Sequence, residues 1–356
     1  MSHSVDTAAQ LGWRSAWKIA GKIAFEVQFR SAMEMSQGAL SQSVEKQIQK
    51  ARNNARFNKA MVCIFTGVFA AVFGFIVWGV VSGAITTLSE YTWIMVAVTV
   101  SVFALMSLGF LLFWGIMVST SFISSRAASI GLYLPLSRSD AGKIALLGYI
   151  RLFDAQIITI VIVFPLAYFL ATGSVLGALA CLGVFLVGAG ISITLMLLLA
   201  IYFYTRIQTS GGSRLSSIMR LVFILLWAVA VMGFSLSLQL LNFIIPVIES
   251  FSIALYPIWD ILSIVYPFAF GALVVQVTGI SGTPLLWTGI AATGIYALLA
   301  IMGIRWSASF LVDVGVGEIV MGGPSIIRPA TVKVSRLGVA VIRKDLRIAL
   351  RTPGLA

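Results

Sequence analysis

The sequence predicts an all-α polytopic membrane protein with six transmembrane helices, both termini cytosolic, and short re-entrant or interfacial helices between spans five and six. Three observations carry that prediction. Of the 356 residues, 60% are hydrophobic and only 10% charged, with a mean hydropathy of +1.03, a balance outside the range of soluble globular chains. Six apolar runs reach the roughly 20 residues a helix needs to cross a bilayer. The 24 lysines and arginines all fall in alternate segments, the distribution expected when cations are retained on the cytosolic side.

Residues 1–60 read as a cytosolic amphipathic N-terminal segment. Within 9–35, Arg14, Lys18, Lys22, Glu26 and Arg30 recur every four positions, while Trp13, Trp17, Ala20, Ala24 and Val27 form another stripe. That is a helix with a cationic face, suited to the headgroup level of an anionic leaflet; a solvated helix packed on a partner is the alternative. From Ser41 to Lys59 the chain is polar and leads up to the membrane.

The transmembrane domain covers residues 61–304. Its spans are Met61–Ala84, Thr92–Val118, Leu152–Thr172, Ser174–Tyr204, Arg220–Pro246 and Leu285–Ile304. The first carries Gly67, Gly74, Gly79 and Gly83, which would let another helix approach closely. Nine Lys/Arg lie in residues 1–60, four between spans two and three, three between spans four and five, and eight after span six. The segments 85–91, the turn at Gly173 and 247–284 hold none, which fixes an even number of crossings. Between Val247 and Pro284, the apolar pieces around 253–259 and 261–277 are broken by Pro257 and Pro267. They read as short helices leaning on the bundle, because non-spanning backbone at depth must be covered by protein. Glu249 and Asp260 mark their wet ends, with Tyr256, Trp259 and Tyr266 at the interface.

Residues 305–356 form a cytosolic tail or the opening of a second half. Its glycines lack the Gly-Lys-Ser/Thr that grips a nucleotide, as does the rest of the sequence. The lone histidine, His3, supplies no triad or metal cluster, and Cys63 and Cys181 sit in apolar runs as buried small hydrophobes. No catalytic, cofactor-binding or metal-binding residues are expected.

The polar island between spans two and three, Leu134-Pro135-Leu136-Ser137-Arg138 followed by Asp140 and Lys143, opens a helix running through Tyr149, Arg151 and Asp154 into apolar sequence. Ser137 or Ser139 can cap that helix, Asp140 suits its first turn, and Arg151 can pair with Asp154 three residues on. In span five, Ser235, Gln239 and Asn242 share a face; they line a translocation path or serve interhelical hydrogen bonds only.

The island, with its Leu-Pro-x-Ser-Arg turn and lysine-bearing helix, resembles the type 2 ABC transporter permeases. The terminal Lys344-Asp345-Leu346-Arg347…Arg351-Thr352-Pro353 is similar to the amphipathic helix that usually precedes a first span in that family, although here it stands at the end. The resemblance implies the membrane-spanning permease subunit of an ATP-driven ABC exporter, with ATP bound by a separate ABC ATPase subunit. It implies ATPase coupling through Leu134, Pro135, Ser137, Arg138, Asp140 and Lys143, and a homodimer or pseudo-dimer in contact with membrane lipids. No nucleic-acid partner is expected. The alternative is a non-transporting membrane scaffold or accessory protein that binds anionic lipid or a partner through its basic cytosolic segments.

Overall fold

A computed structural model of the chain describes residues 12–35, 44–84, 91–124, 137–202, 248, 250–280, 283 and 287–316. Among these residues every regular element is helical. Helix α1 spans Trp13–Met35, α2 Val44–Val81, α3 Thr92–Ser124, α4 Arg138–Ile150, α5 Asp154–Thr172 and α6 Val175–Tyr202. A 3-10 turn at Tyr256–Ile258 leads into α7 (Trp259–Leu262), followed by α8 (Phe268–Thr278) and α9 (Trp287–Val316).

Five helices are long and apolar enough to cross a membrane, through the stretches Arg52–Val81, Thr92–Leu112, Asp154–Thr172, Val175–Ala200 and Trp287–Val312. They match the expected spans one, two, three, four and six. The expected fifth span, Arg220–Pro246, lies outside the described residues, as do Glu249, the glycine-rich stretch of the tail and the Lys344–Pro353 segment. The first span is longer than its apolar run: the polar 44–59 segment and the apolar sequence form one continuous helix, α2.

Helix α5 shows how the apolar sequence is divided. Gln156, Ile160, Val161, Phe164 and Tyr168 are buried, whereas Ile158, Ile162, Leu166 and Leu170, the last 73% exposed, point outward. A helix that buries one stripe and presents leucine and isoleucine on the other needs an apolar medium outside. Phe164 stacks on Phe103 of α3 at 4.2 Å and meets Phe185 of α6 edge-on at 5.1 Å. This trio joins three helices at the centre of the larger core cluster. Each such ring pair is worth about 0.5–1.5 kcal/mol beyond burial.

Small residues set the helix spacing. On α2, Gly67 faces Thr159 and Gly74 faces Ala167 of α5 so closely that a Cβ at Gly74 would overlap the alanine methyl. Lys59 meets Asp154 one stage earlier. The three contacts advance in step along both helices, so α2 and α5 run parallel, as first and third spans must. Gly173, with φ of +69°, caps α5 in the left-handed conformation and turns the chain straight into α6.

The short helices pack on the bundle. Eleven-residue α8 would reach only about 16 Å at 1.5 Å per residue, too short to span. Its Gly271 lies against Ala97 and Ser101 of α3, and Thr293 of α9 donates to the Ala269 carbonyl at 3.2 Å. Tyr296 accepts from the Tyr266 amide at 2.9 Å and donates to the Ile264 carbonyl at 3.0 Å. Tyr256 is exposed as expected, but Trp259 is not an interfacial residue. It is buried, edge-on to Trp93 and Phe268, because α7 folds it inward against α3. Cys181 is buried as expected, whereas Cys63 is partly exposed.

Candidate functional site

Helix α4 begins as its sequence dictates. The Ser137 hydroxyl accepts from the Asp140 amide at 3.1 Å and donates to Asp140 Oδ2 at 2.9 Å, capping the first turn. Lys143 donates to Asp140 Oδ1 at 3.0 Å. That hydrogen bond, reinforced by Ser137, holds the Asp140 carboxyl below its ordinary pKa of 3.8 against a smaller opposing effect of desolvation.

The helix does not continue into the membrane as predicted. It stops at Ile150, residues 151–153 form a turn, and α5 restarts at Asp154. The turn is closed by 3-10-type bonds from Leu152 to Tyr149 and from Phe153 to Ile150. Uncoupling the two helices lets Arg151 reach sideways over the Trp17 ring of α1, 4.3 Å from its centre, while its guanidinium donates to Asp154 Oδ2 at 3.0 Å. The predicted pair therefore forms, but across a break rather than on one helix face.

Lys59 completes the junction, donating to Asp154 Oδ1 at 2.8 Å and to the Arg151 carbonyl at 3.0 Å. One carboxylate, 12% exposed, thus ties α2, α5 and, through Arg151 and Trp17, α1. Two cations against one anion leave the junction with a positive excess.

Around this junction α4 is almost wholly enclosed. Gly148 lies against Ala20 and Ile23 of α1, and Gly142 against Ala308 and Val312 of α9. Tyr149 shares a hydrogen bond with Ser119 of α3 and meets Phe122 edge-on; burial raises its phenol pKa. Of the residues expected to couple to an ATPase, Ser137 is exposed, Asp140 is buried, and the Lys143 side chain is 61% exposed. Arg138 lies in the first turn of α4, with its side chain outside the description. Leu134 and Pro135, and the expected path residues Ser235, Gln239 and Asn242, lie outside the described residues.

A polar set that sequence reasoning missed lies inside the bundle. A void with room for about one water molecule is lined by Ser107, Leu111, Ile160, Phe185, Ser192 and Tyr266 among others. One helical turn before Ile160 stands Gln156, only 2% exposed, with neither amide atom hydrogen-bonded among the described residues. A buried amide left unpaired costs roughly 1–3 kcal/mol, so its retention calls for a ligand or water. The signal was present: Gln156 heads the Ile160–Phe164–Tyr168 row at four-residue spacing, the row that becomes the buried stripe of α5. Among the described residues no three His, Cys, Asp or Glu side chains cluster to hold a metal ion.

The profile of a family described as "membrane protein of 12 TMs" matches residues 60–355. The chain belongs to that family, and it is a multi-pass membrane protein. No curated protein and no solved structure matches it. The match corrects the resemblance drawn from the Leu134–Lys143 island and the Lys344–Pro353 segment: the family is not the type 2 ABC permeases. Both motifs are short, and a proline turn before a capped helix, or a charged helix beside a membrane, answers physical needs common to many membrane proteins.

Proposed function

We propose that this member of the twelve-span family is a membrane transport subunit with six spans and both termini on the side of the α1–α4–α5 junction. Substrate moves through the bundle interior past Gln156 and the Ser107–Ser192–Tyr266 void, and the junction relays work from a separate ATP-hydrolysing partner. The observation that carries the reading is Gln156, a buried amide with no hydrogen-bond partner among the described residues. Polar groups kept inside a membrane bundle face a route or bind something. Support for a relay comes from the break at 151–153, which lets α4 shift without bending α5, and from Lys143, a charged side chain exposed on a largely enclosed helix.

The test needs no knowledge of substrate. Cysteines placed at Ser107 and Ser192, in a chain with Cys63→Ala and Cys181→Ala, should react with a membrane-impermeant thiol reagent, and Gln156→Leu should suppress that reaction while leaving the protein monodisperse. The chain should also co-purify with an ATP-hydrolysing partner and lose it on Lys143→Glu. Interior cysteines inert under all conditions would end the transport reading. The exposed cations of α1 then favour the scaffold alternative.

A further inference from the structure

The sequence suits α1 to the headgroup level, with packing on a partner as the alternative, and the structure buries its apolar stripe in protein. Ala16, Ala20, Ile23, Ala24 and Val27 form a core cluster with Ile144, Leu147 and Tyr149 of α4. What α1 leaves outside is Trp13, 67% exposed, together with Arg14, Ser15, Lys18 and Lys22. Arg14, Lys18 and Lys22 recur every four residues, about 6 Å apart along the axis, and none has an ion-pair partner among the described residues.

Two arginines tie this row to the rest of the bundle. Arg151 stacks on Trp17 and lies against Gly21, and Arg52 of α2 sits 5.7 Å over the Phe25 ring. Arg151, in the turn before α5, stands where that segment passes from polar to apolar sequence, and Arg52 lies on the polar part of α2, ahead of the apolar run that begins at Met61. A helix clamped at that level, with an exposed tryptophan and a row of cations that have no ion-pair partner among the described residues, sits where headgroup phosphates lie.

We infer that the Trp13–Arg14–Lys18–Lys22 edge of α1 is a docking site for the headgroups of anionic phospholipids, in which charge alone meets the membrane and the apolar stripe is reserved for α4. The inference is independent of the transport reading. A helix that floated on lipid through its apolar face would be a detachable anchor. One bolted to α4 instead makes the lipid surface part of the junction that holds Lys59, Arg151 and Asp154.

The experiment uses the full chain in nanodiscs, carrying an environment-sensitive fluorophore on a cysteine at Ser15, with Cys63→Ala and Cys181→Ala. Brominated phosphatidylglycerol should quench the label more strongly than brominated phosphatidylcholine at equal mole fraction. The preference should fall on the order of 100-fold in the Arg14→Gln, Lys18→Gln, Lys22→Gln variant, following about a fivefold effect per cation near the surface. It should weaken stepwise in Lys18→Gln alone and vanish in high salt. Equal quenching by the two lipids in the parent chain would overturn the proposal. So would loss of the preference on adding millimolar inorganic phosphate at constant ionic strength, which would mark the edge as a small-anion site.

Discussion

The two ends of the bundle are fastened by different chemistry. At the α1–α4–α5 junction, helices are tied by Asp154 between Lys59 and Arg151 and by the Trp17–Arg151 stack, while the Ser137–Asp140–Lys143 cap fastens the start of α4. Around α7, they are held by rings: Trp93 against Trp259 at 6.2 Å, Tyr91 against Tyr256 at 5.5 Å, and Trp259 against Phe268 at 5.7 Å. The contrast follows the sequence, which holds no Lys or Arg in 85–91 or 247–284. Ion pairs exchange partners in discrete steps and respond to salt, whereas packed rings resist any displacement that opens a void. The charged end is therefore the one whose fastening depends on salt.

The sharpest way to break that contrast is at the aromatic end. Trp259→Ala removes a fully buried indole and should cost about 3–5 kcal/mol, read as a large fall in the thermal midpoint of the detergent-solubilised chain by size-exclusion after heating. At the charged end, Asp154→Ala strands two partly exposed cations and should cost about 1–3 kcal/mol, between the values for surface and buried pairs. Salt separates the two: from 0.01 M to 1 M ionic strength the screening length falls from about 30 Å to 3 Å. The Asp154→Ala deficit should shrink, and the Trp259→Ala deficit should stay constant. An Asp154 deficit indifferent to salt would show that the junction is held by packing.

Smaller effects come from the α4 cap. Ser137→Ala should lower stability by about 1 kcal/mol, visible in the same melting assay. Asp140 supplies the pH dependence. Its folded pKa lies below the ordinary 3.8, so its contribution is fully present above 3.8 and is lost as pH falls through the folded value. Wild type and Asp140→Asn should hold a constant gap at neutral pH and converge only below pH 3.8; a gap closing near pH 6 would mean another group controls the cap.

What the sequence made legible was whatever depends on one helix at a time. Spans one to four and six follow from hydropathy alone, the Ser137 cap from local spacing, and the exposure of Lys18 and Lys22 from four-residue periodicity. What depends on two helices was not legible. The break at 151–153 arises because Arg151 finds Trp17 and Asp154 finds Lys59, partners far away in the chain. Trp259 reads as interfacial by type, yet α3 supplies Trp93 to receive it. Gln156 could be seen as polar within an apolar run, but its lack of a partner among the described residues is a property of the assembled core. The family motifs misled for a related reason: capped turns and charged flanking helices are solutions to local physics, so they recur outside any one lineage.

Helix α2 is a single 38-residue rod, about 57 Å long at 1.5 Å per residue, nearly twice the roughly 30 Å of hydrocarbon it must cross. Gly74, pressed on Ala167, lies 30 residues from its first residue, Val44. If the rod pivots there by about 5°, its polar end sweeps about 4 Å over a 45 Å arm, roughly the width of one side chain. The same pivot would carry Lys59, 15 residues from Gly74, by only about 2 Å, so the Lys59–Asp154 pair at 2.8 Å sits where a small tilt of the rod costs least reach.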